Sequence, residues 1–248
     1  MTTSEDRRFV PDEDPIVTEA GETVQRGDLA RLDELLTAHP WLATASFGDA
    51  ECHRTLLHAV CDFPGKFPNG AAAVRRLVAA GADVDARSCF DGHTETALHW
   101  AASCDDVAVV DALLDAGADI EAAGADIGGG TALGDACEFE SWGAAWRLVQ
   151  RGANTRLRDA AALGMVEQVQ TALAEGDDFE LDEISRALWS AAVGGQYAIS
   201  VLLGERGADV NWRGRDGRTP LDCAEEAFAP KLTAWLRERG ALRSRELH

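Results

Sequence analysis

Leu98-His99-Trp100-Ala101-Ala102, followed at Gly117-Ala118-Asp119 by a loop of small residues, recurs along the chain in altered copies. The nearest copy is Leu57-His58-Ala59-Val60, which leads to Gly81-Ala82-Asp83. Weaker copies end at Gly152-Ala153-Asn154, Gly176-Asp177-Asp178, Gly207-Ala208-Asp209 and Gly240-Ala241. Successive end marks lie 36, 35, 24, 31 and 33 residues apart. A period near 33 predicts an array of stacked structural repeats.

The motif resembles the ankyrin repeat, in which a Thr-Pro-Leu-His turn opens an inner helix, an outer helix follows, and a β-turn finger leads onward. The resemblance runs from about Val17 to about Leu242 and implies an all-α solenoid of six to seven degenerate repeats. The corresponding turns are Thr55-Leu56-Leu57-His58, Thr96-Ala97-Leu98-His99, Thr131-Ala132-Leu133-Gly134, Thr155-Arg156-Leu157-Arg158, Arg186-Ala187-Leu188-Trp189 and Thr219-Pro220-Leu221-Asp222. Only two of them keep the histidine.

Two irregularities interrupt the period. Residues 63–70 are rich in Pro and Gly, which end helices, so they predict an inserted loop between the two helices of one repeat. After Asn154 the next motif threonine follows at once, which indicates a repeat without its finger. We therefore predict an irregular joint near residues 125–180.

Both ends of the array carry capping patterns. Residues 17–48 include an apolar helix face of Leu29, Leu32, Leu35 and Leu36, and residues 219–242 close the other end. Terminal repeats need a polar outer face, because one side of each has no neighbour. Residues 1–15, with five acids, predict a disordered lead-in, so we predict a single repeat domain over residues 16–248.

Composition excludes several classes of protein. No run of about 18 apolar residues encodes a membrane span, and the first residues lack the apolar stretch of a secretory signal, so we expect a cytoplasmic protein. The 43 acidic residues against 23 basic ones make nucleic acid an unfavourable partner. No GxSxG, HExxH or Rossmann pattern is present, and we expect no cofactor.

The resemblance implies that His58 and His99 are structural rather than catalytic. In this family the histidine bonds the motif threonine and the backbone of the next turn, and Thr55 and Thr96 are present to receive it.

In ankyrin repeats, the residue one place after that histidine faces partly into the concave groove. We call the set of these residues, one from each repeat, the groove column. It contains Ala59, Trp100, Asp135, Asp159, Ser190 and Cys223. An unpaired carboxylate on a partly buried helix face costs roughly 1–3 kcal/mol, so a partner or ligand is expected to satisfy it. Glu138 shares the face of Asp135, and Asp62 has the equivalent place in the second repeat. An acidic groove around Trp100 is one interpretation; ion pairs of these acids with Arg147, Arg156 or Arg158 are the other.

The groove interpretation predicts a non-catalytic interaction module that binds a basic segment of a partner protein. A cationic small molecule over Trp100 would satisfy the same pattern. Trp146 and Trp212, if exposed, would add aromatic anchors. The alternative is an enzyme or small-molecule binder with a pocket at the fourth and fifth repeats, where Asp135, Asp159 and Glu138 divide acid and base roles and Trp100 forms a wall.

Six cysteines suggest a further alternative, a thiol or metal sensor. Cys52, His53, Cys89 and His93 fall in the fingers of two neighbouring repeats. No CxxC or HxxxH spacing supports a zinc site, so we predict no metal.

Overall fold

The computed structural model describes residues 9–89, 94–124, 130–175 and 179–247, and these contain fourteen α-helices in seven consecutive pairs. The pairs are α1 (Pro15–Arg26) and α2 (Leu29–Ala38), α3 (Leu56–Cys61) and α4 (Gly70–Ala79), α5 (Ala97–Ser103) and α6 (Val107–Asp115), α7 (Ala132–Glu138) and α8 (Trp142–Gln150), α9 (Leu157–Ala162) and α10 (Val166–Glu175), α11 (Leu181–Val193) and α12 (Tyr197–Glu205), and α13 (Pro220–Glu226) and α14 (Pro230–Glu238). None of the described helices is long and apolar enough to cross a membrane.

Short polar caps explain where the helices begin. The inner helices α3, α5 and α13 start after Thr55, Thr96 and Thr219, each in a reciprocal capping box with the residue three places later. Outer helices α2 and α6 use aspartate instead: Asp28 accepts from the backbone N–H of Arg31, and Asp106 from that of Val109. These caps fix the residue at which each of the five helices begins.

The chain divides into two compact units, Met1–Ala153 and Asn154–His248, where the sequence predicted one domain. In the first unit, α5 packs against α3 and α7, and α6 packs against α4 and α8. In the second unit, α11 packs against α9 and α13, and α12 packs against α10 and α14. The division falls inside the predicted irregular joint, where α9 begins only three residues after Asn154. That short connection leaves no room for a finger.

The predicted disordered lead-in is wrong from Phe9 onward. Strand β1 (Phe9–Val10) pairs in parallel with β2 (Ser46–Gly48), which pairs in antiparallel fashion with β3 (His53–Arg54). Val10 is buried, so an apolar side chain anchors the segment despite the acids around it. Helix α1 then begins at Pro15, after the cap Asp14.

The predicted turn at residues 186–189 is also wrong. Helix α11 runs without interruption over thirteen residues, and Arg186 lies in its middle. No proline or glycine stands in this stretch to end a helix, and its residues from Ala187 to Val193 are buried. The second helix pair of the second unit therefore begins at Leu181, earlier than the motif spacing indicates.

The predicted inserted loop is present. Residues 62–69, here called the insertion loop, connect α3 to α4. In most other pairs, a turn of only a few residues connects the two helices. Because the insertion lies between two helices of one pair, the flanking helices keep their packing against the neighbouring pairs.

Most of the short turns contain a residue in the left-handed region. These residues are Gly27, Asp105, Glu140, Gly164, Gly195 and Phe228, with φ from 51° at Phe228 to 76° at Gly164. Glycine adopts this conformation without a steric cost, whereas a bulky side chain does not. Phe228 is also 91% exposed, so packing contacts of its ring offset little of the steric cost of this conformation.

Replacing Phe228 with glycine should therefore stabilise the second unit. We expect Phe228→Gly to raise the free energy of unfolding by about 1 kcal/mol, the usual cost of a side chain in the left-handed region. Urea denaturation followed by circular dichroism measures the change. Phe228→Ala is the control, because it removes the ring but keeps the Cβ atom. An equal gain in both variants would contradict the conformational explanation.

Candidate functional site

The two motif histidines are fixed inside the first unit. Nδ1 of His58 accepts from the backbone N–H of Thr55 at 3.3 Å and lies 2.9 Å from the Thr55 hydroxyl. Its Nε2 lies 3.1 Å from the carbonyl oxygen of Glu95, directly before the next motif threonine. Because a backbone N–H can only donate, Nδ1 is the acceptor and Nε2 carries the proton. His58 is thus a neutral link between adjacent repeats.

His99 repeats the arrangement one pair later. Its Nδ1 accepts from the backbone N–H of Thr96 at 3.1 Å, and its Nε2 lies 3.5 Å from the carbonyl oxygen of Gly130. Burial lowers the pKa of both imidazoles to about 4. The histidines are structural, as the resemblance implied.

Beside His58 lies an open groove of about 540 Å³. We call it the aromatic groove; it is lined by Cys61, Asp62, Phe63, Pro64, Glu95, Trp100, Ser103, Cys104, Phe139 and Ser141. Phe63 is 86% exposed and Phe139 is 51% exposed, while Trp100 is half-buried. The groove thus offers three aromatic side chains that solvent reaches.

Trp100 and Asp62, predicted from different repeats, meet in this groove. The Trp100 ring packs nearly perpendicular to the His58 ring, at 78° and with 5.0 Å between centroids, which holds the indole in place. Asp62 accepts from Nη1 of Arg54 at 2.9 Å and from the backbone N–H of Phe63 at 2.9 Å. Asp62 lines the groove, as the groove interpretation expects, and its ion-pair partner is Arg54 rather than Arg147, Arg156 or Arg158.

The insertion loop forms one wall of the groove because it is docked on the third helix pair. The backbone N–H of Lys66 donates to Asp106 at 3.0 Å, and its ammonium lies 3.2 Å from a carboxylate oxygen of Asp105. Gly65 has φ +72° and approaches Cys104 so closely that a Cβ atom would lie 2.5 Å from the cysteine Cβ. The loop is thereby held with Phe63 over the groove.

Sequence reasoning missed Phe63 and Phe139 as groove residues. The insertion was visible as a loop, but nothing in its pattern showed on which neighbour it would dock. A signal was present: an aromatic residue next to proline in an insertion has no core position to fill, so it is a candidate for surface contact.

Asp135 does not line an open groove. It occupies the predicted column, one place after Gly134 in α7, but it is only 1% exposed. Glu138, at the end of α7, is half-buried. Direct contact of Asp135 with a partner stays a prediction, and its burial gives that prediction no support.

Asp159 belongs to a different column from the predicted one. Helix α9 begins after Arg156, not after Thr155, and Asp159 accepts from the backbone N–H of Arg156 at 3.0 Å. This is the contact that His58 makes with Thr55 and that Asp222 makes with Thr219. Asp159 thus occupies the position of the motif histidine. Ala160, one place later, occupies the position that was predicted to face the groove.

Asp159 is also 1% exposed and lies beside a largely buried arginine. Nε of Arg158 is 3.4 Å from its Oδ1, and the Arg158 side chain is 11% exposed. Burial raises the pKa of the Asp159 carboxyl, and the charge of Arg158 opposes that rise. The ion-pair interpretation therefore holds for Asp159 with Arg158, whereas Arg147 pairs with Asp111 instead. The proximity of Asp135 and Asp159 stays a prediction.

A family model of ankyrin repeats, in three copies, matches residues 23–159, more than half of the chain. The chain belongs to the ankyrin repeat family. Among solved structures, the human ASB11 ankyrin repeat domain is similar with a TM-score of 0.50 and 22% identity, over 89% of this chain and 96% of that one. This likeness supports the ankyrin fold alone. No curated protein matches the chain. As an ankyrin repeat protein, the chain is a protein–protein interaction module.

The two remaining tryptophans of the predicted site differ in exposure. Trp146, on the outer ankyrin helix α8, is 42% exposed, so solvent reaches it as predicted. Trp212, in the last ankyrin finger, is half-buried: its indole N–H donates to Asp182 at 2.8 Å and its ring contacts Trp189. Trp212 therefore fastens the finger to α11. Neither tryptophan lines the aromatic groove.

The candidate metal ligands lie in the ankyrin fingers of the first unit. His53 and Cys89 exchange both backbone hydrogen bonds at 2.9 Å, which places these residues opposite each other. His93 lies outside the described residues. Among the residues that are described, no group of three or more His, Cys, Asp or Glu side chains is arranged to hold a metal ion.

Proposed function

We propose that the first unit binds a basic segment of a partner protein in the aromatic groove. The observation that carries the proposal is the chemistry of the groove lining. Three solvent-accessible aromatic side chains stand beside two acidic residues, Asp62 and Glu95, and no described basic residue lines the groove. Aromatic anchors dominate the binding energy of many protein interfaces, and complementary charge raises their association rates.

The charge of the whole chain supports a basic partner. Its net charge is −20, so a cationic segment is attracted from a distance, while a nucleic acid backbone is repelled. We also propose that the protein works in the cytoplasm, because none of its six cysteines, all of which the structure describes, forms a disulfide.

The enzyme alternative has weaker support. Asp159 holds the start of α9, Asp135 is enclosed in α7, and neither carboxylate lines the aromatic groove. A cationic small molecule, in contrast, would use the same aromatic groove, and the following experiment distinguishes it from a protein.

The test is affinity capture from native lysate with wild type and with the double variant Phe63→Ala/Phe139→Ala. Both rings are largely exposed, so their removal should leave folding intact. We expect the double variant to capture a specific protein in an amount reduced by about tenfold or more, the usual effect of removing two interface anchors. The captured wild-type complex should weaken as salt rises, since its charges are exposed. Mass spectrometry identifies the captured species.

Phe228→Ala is the matched control, because Phe228 is at least as exposed as either groove phenylalanine but lies in the second unit. It should capture the partner as wild type does. If Phe228→Ala lost the captured protein and the double variant retained it, the binding surface would lie outside the aromatic groove. A small molecule that co-purifies with wild type alone would replace the protein partner with a cationic ligand.

A further inference from the structure

We infer that the aromatic groove selects an arginine side chain of the partner segment over a lysine side chain. This inference rests on the proposed function, since it specifies the residue that the groove recognises. Three features of the groove support it: the ion pair that partly neutralises Asp62, the fixed orientation of Trp100, and the neutral form of His58, whose ring contacts Trp100.

The acidic charge of the groove is partly used within the protein. Asp62 is ion-paired with Arg54 and also accepts from the backbone N–H of Phe63. An ammonium is strongly hydrated and acts as a compact point charge, so a carboxylate that already has a partner offsets less of its lost hydration. A guanidinium is more weakly hydrated and can share a carboxylate that already has one partner. The electrostatics of Asp62 therefore favour arginine.

The aromatic side chains of the groove add attraction for a guanidinium beyond that of the shared Asp62 carboxylate. A planar guanidinium stacks on aromatic faces and gains both cation–π and stacking contact. Trp100, the aromatic residue with the strongest attraction for a cation, is held by the perpendicular His58 ring. Phe63 and Phe139 line the same groove and can cover the alkyl part of the side chain.

His58 does not compete for this position. Thr55 donates to its Nδ1, and the Glu95 carbonyl accepts from its Nε2, so the ring is held in the neutral form. The ring that touches Trp100 is thus uncharged at neutral pH and does not repel an external cation at the indole. The volume of about 540 Å³ is large enough for a guanidinium with its alkyl stem.

The experiment compares ethylguanidinium with ethylammonium, which have the same alkyl group, as probes for the full-length protein. The readout is the indole N–H signals in a nitrogen–proton NMR spectrum, in which seven tryptophans report separately. We expect ethylguanidinium to shift the Trp100 signal saturably at millimolar concentration. Ethylammonium should need about fivefold more, in line with cation–π energies near 1 kcal/mol.

Two controls accompany the titration. Trp100→Leu assigns the signal and should abolish saturable binding of either probe. The exposed Trp146 is the internal control for non-specific contact, and its signal should move linearly and only slightly. Equal shifts of Trp100 and Trp146 would overturn the inference, as would equal affinities for the two probes. In either case the capture experiment with Phe63→Ala/Phe139→Ala still decides whether the groove binds a basic protein segment.

Discussion

Lowering the pH from about 7 to about 4.5 should destabilise the first unit by roughly 2.5 kcal/mol for each of His58 and His99. Burial lowers the folded-state pKa of both imidazoles from 6.5 to about 4. Below about pH 6.5 the unfolded chain binds protons at these positions, whereas the folded protein does not until about pH 4. The stability is therefore complete above the unfolded-state pKa and is lost as the pH falls towards the folded-state value.

Urea denaturation at a series of pH values measures this loss. The variant His58→Gln keeps a group that can accept from Thr55 but takes no proton, so its first unit should show about half of the pH dependence. Asp159 acts in the opposite direction, because its raised pKa favours the folded state at low pH, but it lies in the second unit. A free energy of unfolding for the first unit that stays flat between about pH 7 and pH 5 would contradict the neutral-histidine structure.

Replacing Asp159 with alanine should destabilise the second unit by about 3 kcal/mol, a typical cost when a buried ion pair loses one partner. The substitution leaves Arg158 largely buried without the Asp159 carboxylate and removes the acceptor for the backbone N–H of Arg156. The result should appear as a lower denaturation midpoint of the second unit.

Asp159→Asn separates the two contributions, because the amide oxygen can still accept from Arg156 while the charge is lost. We expect its destabilisation to fall between wild type and Asp159→Ala. The exposed Asp216→Ala is a further comparison in the same unit and should change stability much less. If Asp159→Ala were as stable as wild type and instead lost a partner, the capping role of the carboxylate would be wrong.

The sequence predicted the regular part of the fold well because its signals are local. Thr55 and Thr96 cap inner helices, and the histidines three places later complete the same boxes, so the motif carries its own geometry. The inserted loop was equally visible, since proline and glycine end helices wherever they stand. These features depend on residues a few positions apart.

Predictions failed where the local signal was ambiguous or where contacts were distant. Ala160, Ala161 and Ala162 fit the small-residue positions of the inner helix in two registers, so Asp159 was shifted by one column. The fold of β1 depends on pairing with β2, which lies more than thirty residues away. The site was predicted only in part, because Trp100 and Asp62 follow from the motif, whereas the position of Phe63 follows from contacts of Lys66 and Gly65 with the next repeat.

Under the proposed function, the placement of the insertion loop separates recognition from folding. Both of its ends join helices that pack against neighbouring pairs, so changes at its tip leave the packing of those pairs intact. Residues such as Phe63 can be exchanged through single substitutions without repacking a core, provided that Gly65 and Lys66 keep the loop attached. Partner preference, on the proposed function, can therefore change by substitution in the loop while the helix pairs that carry it stay the same.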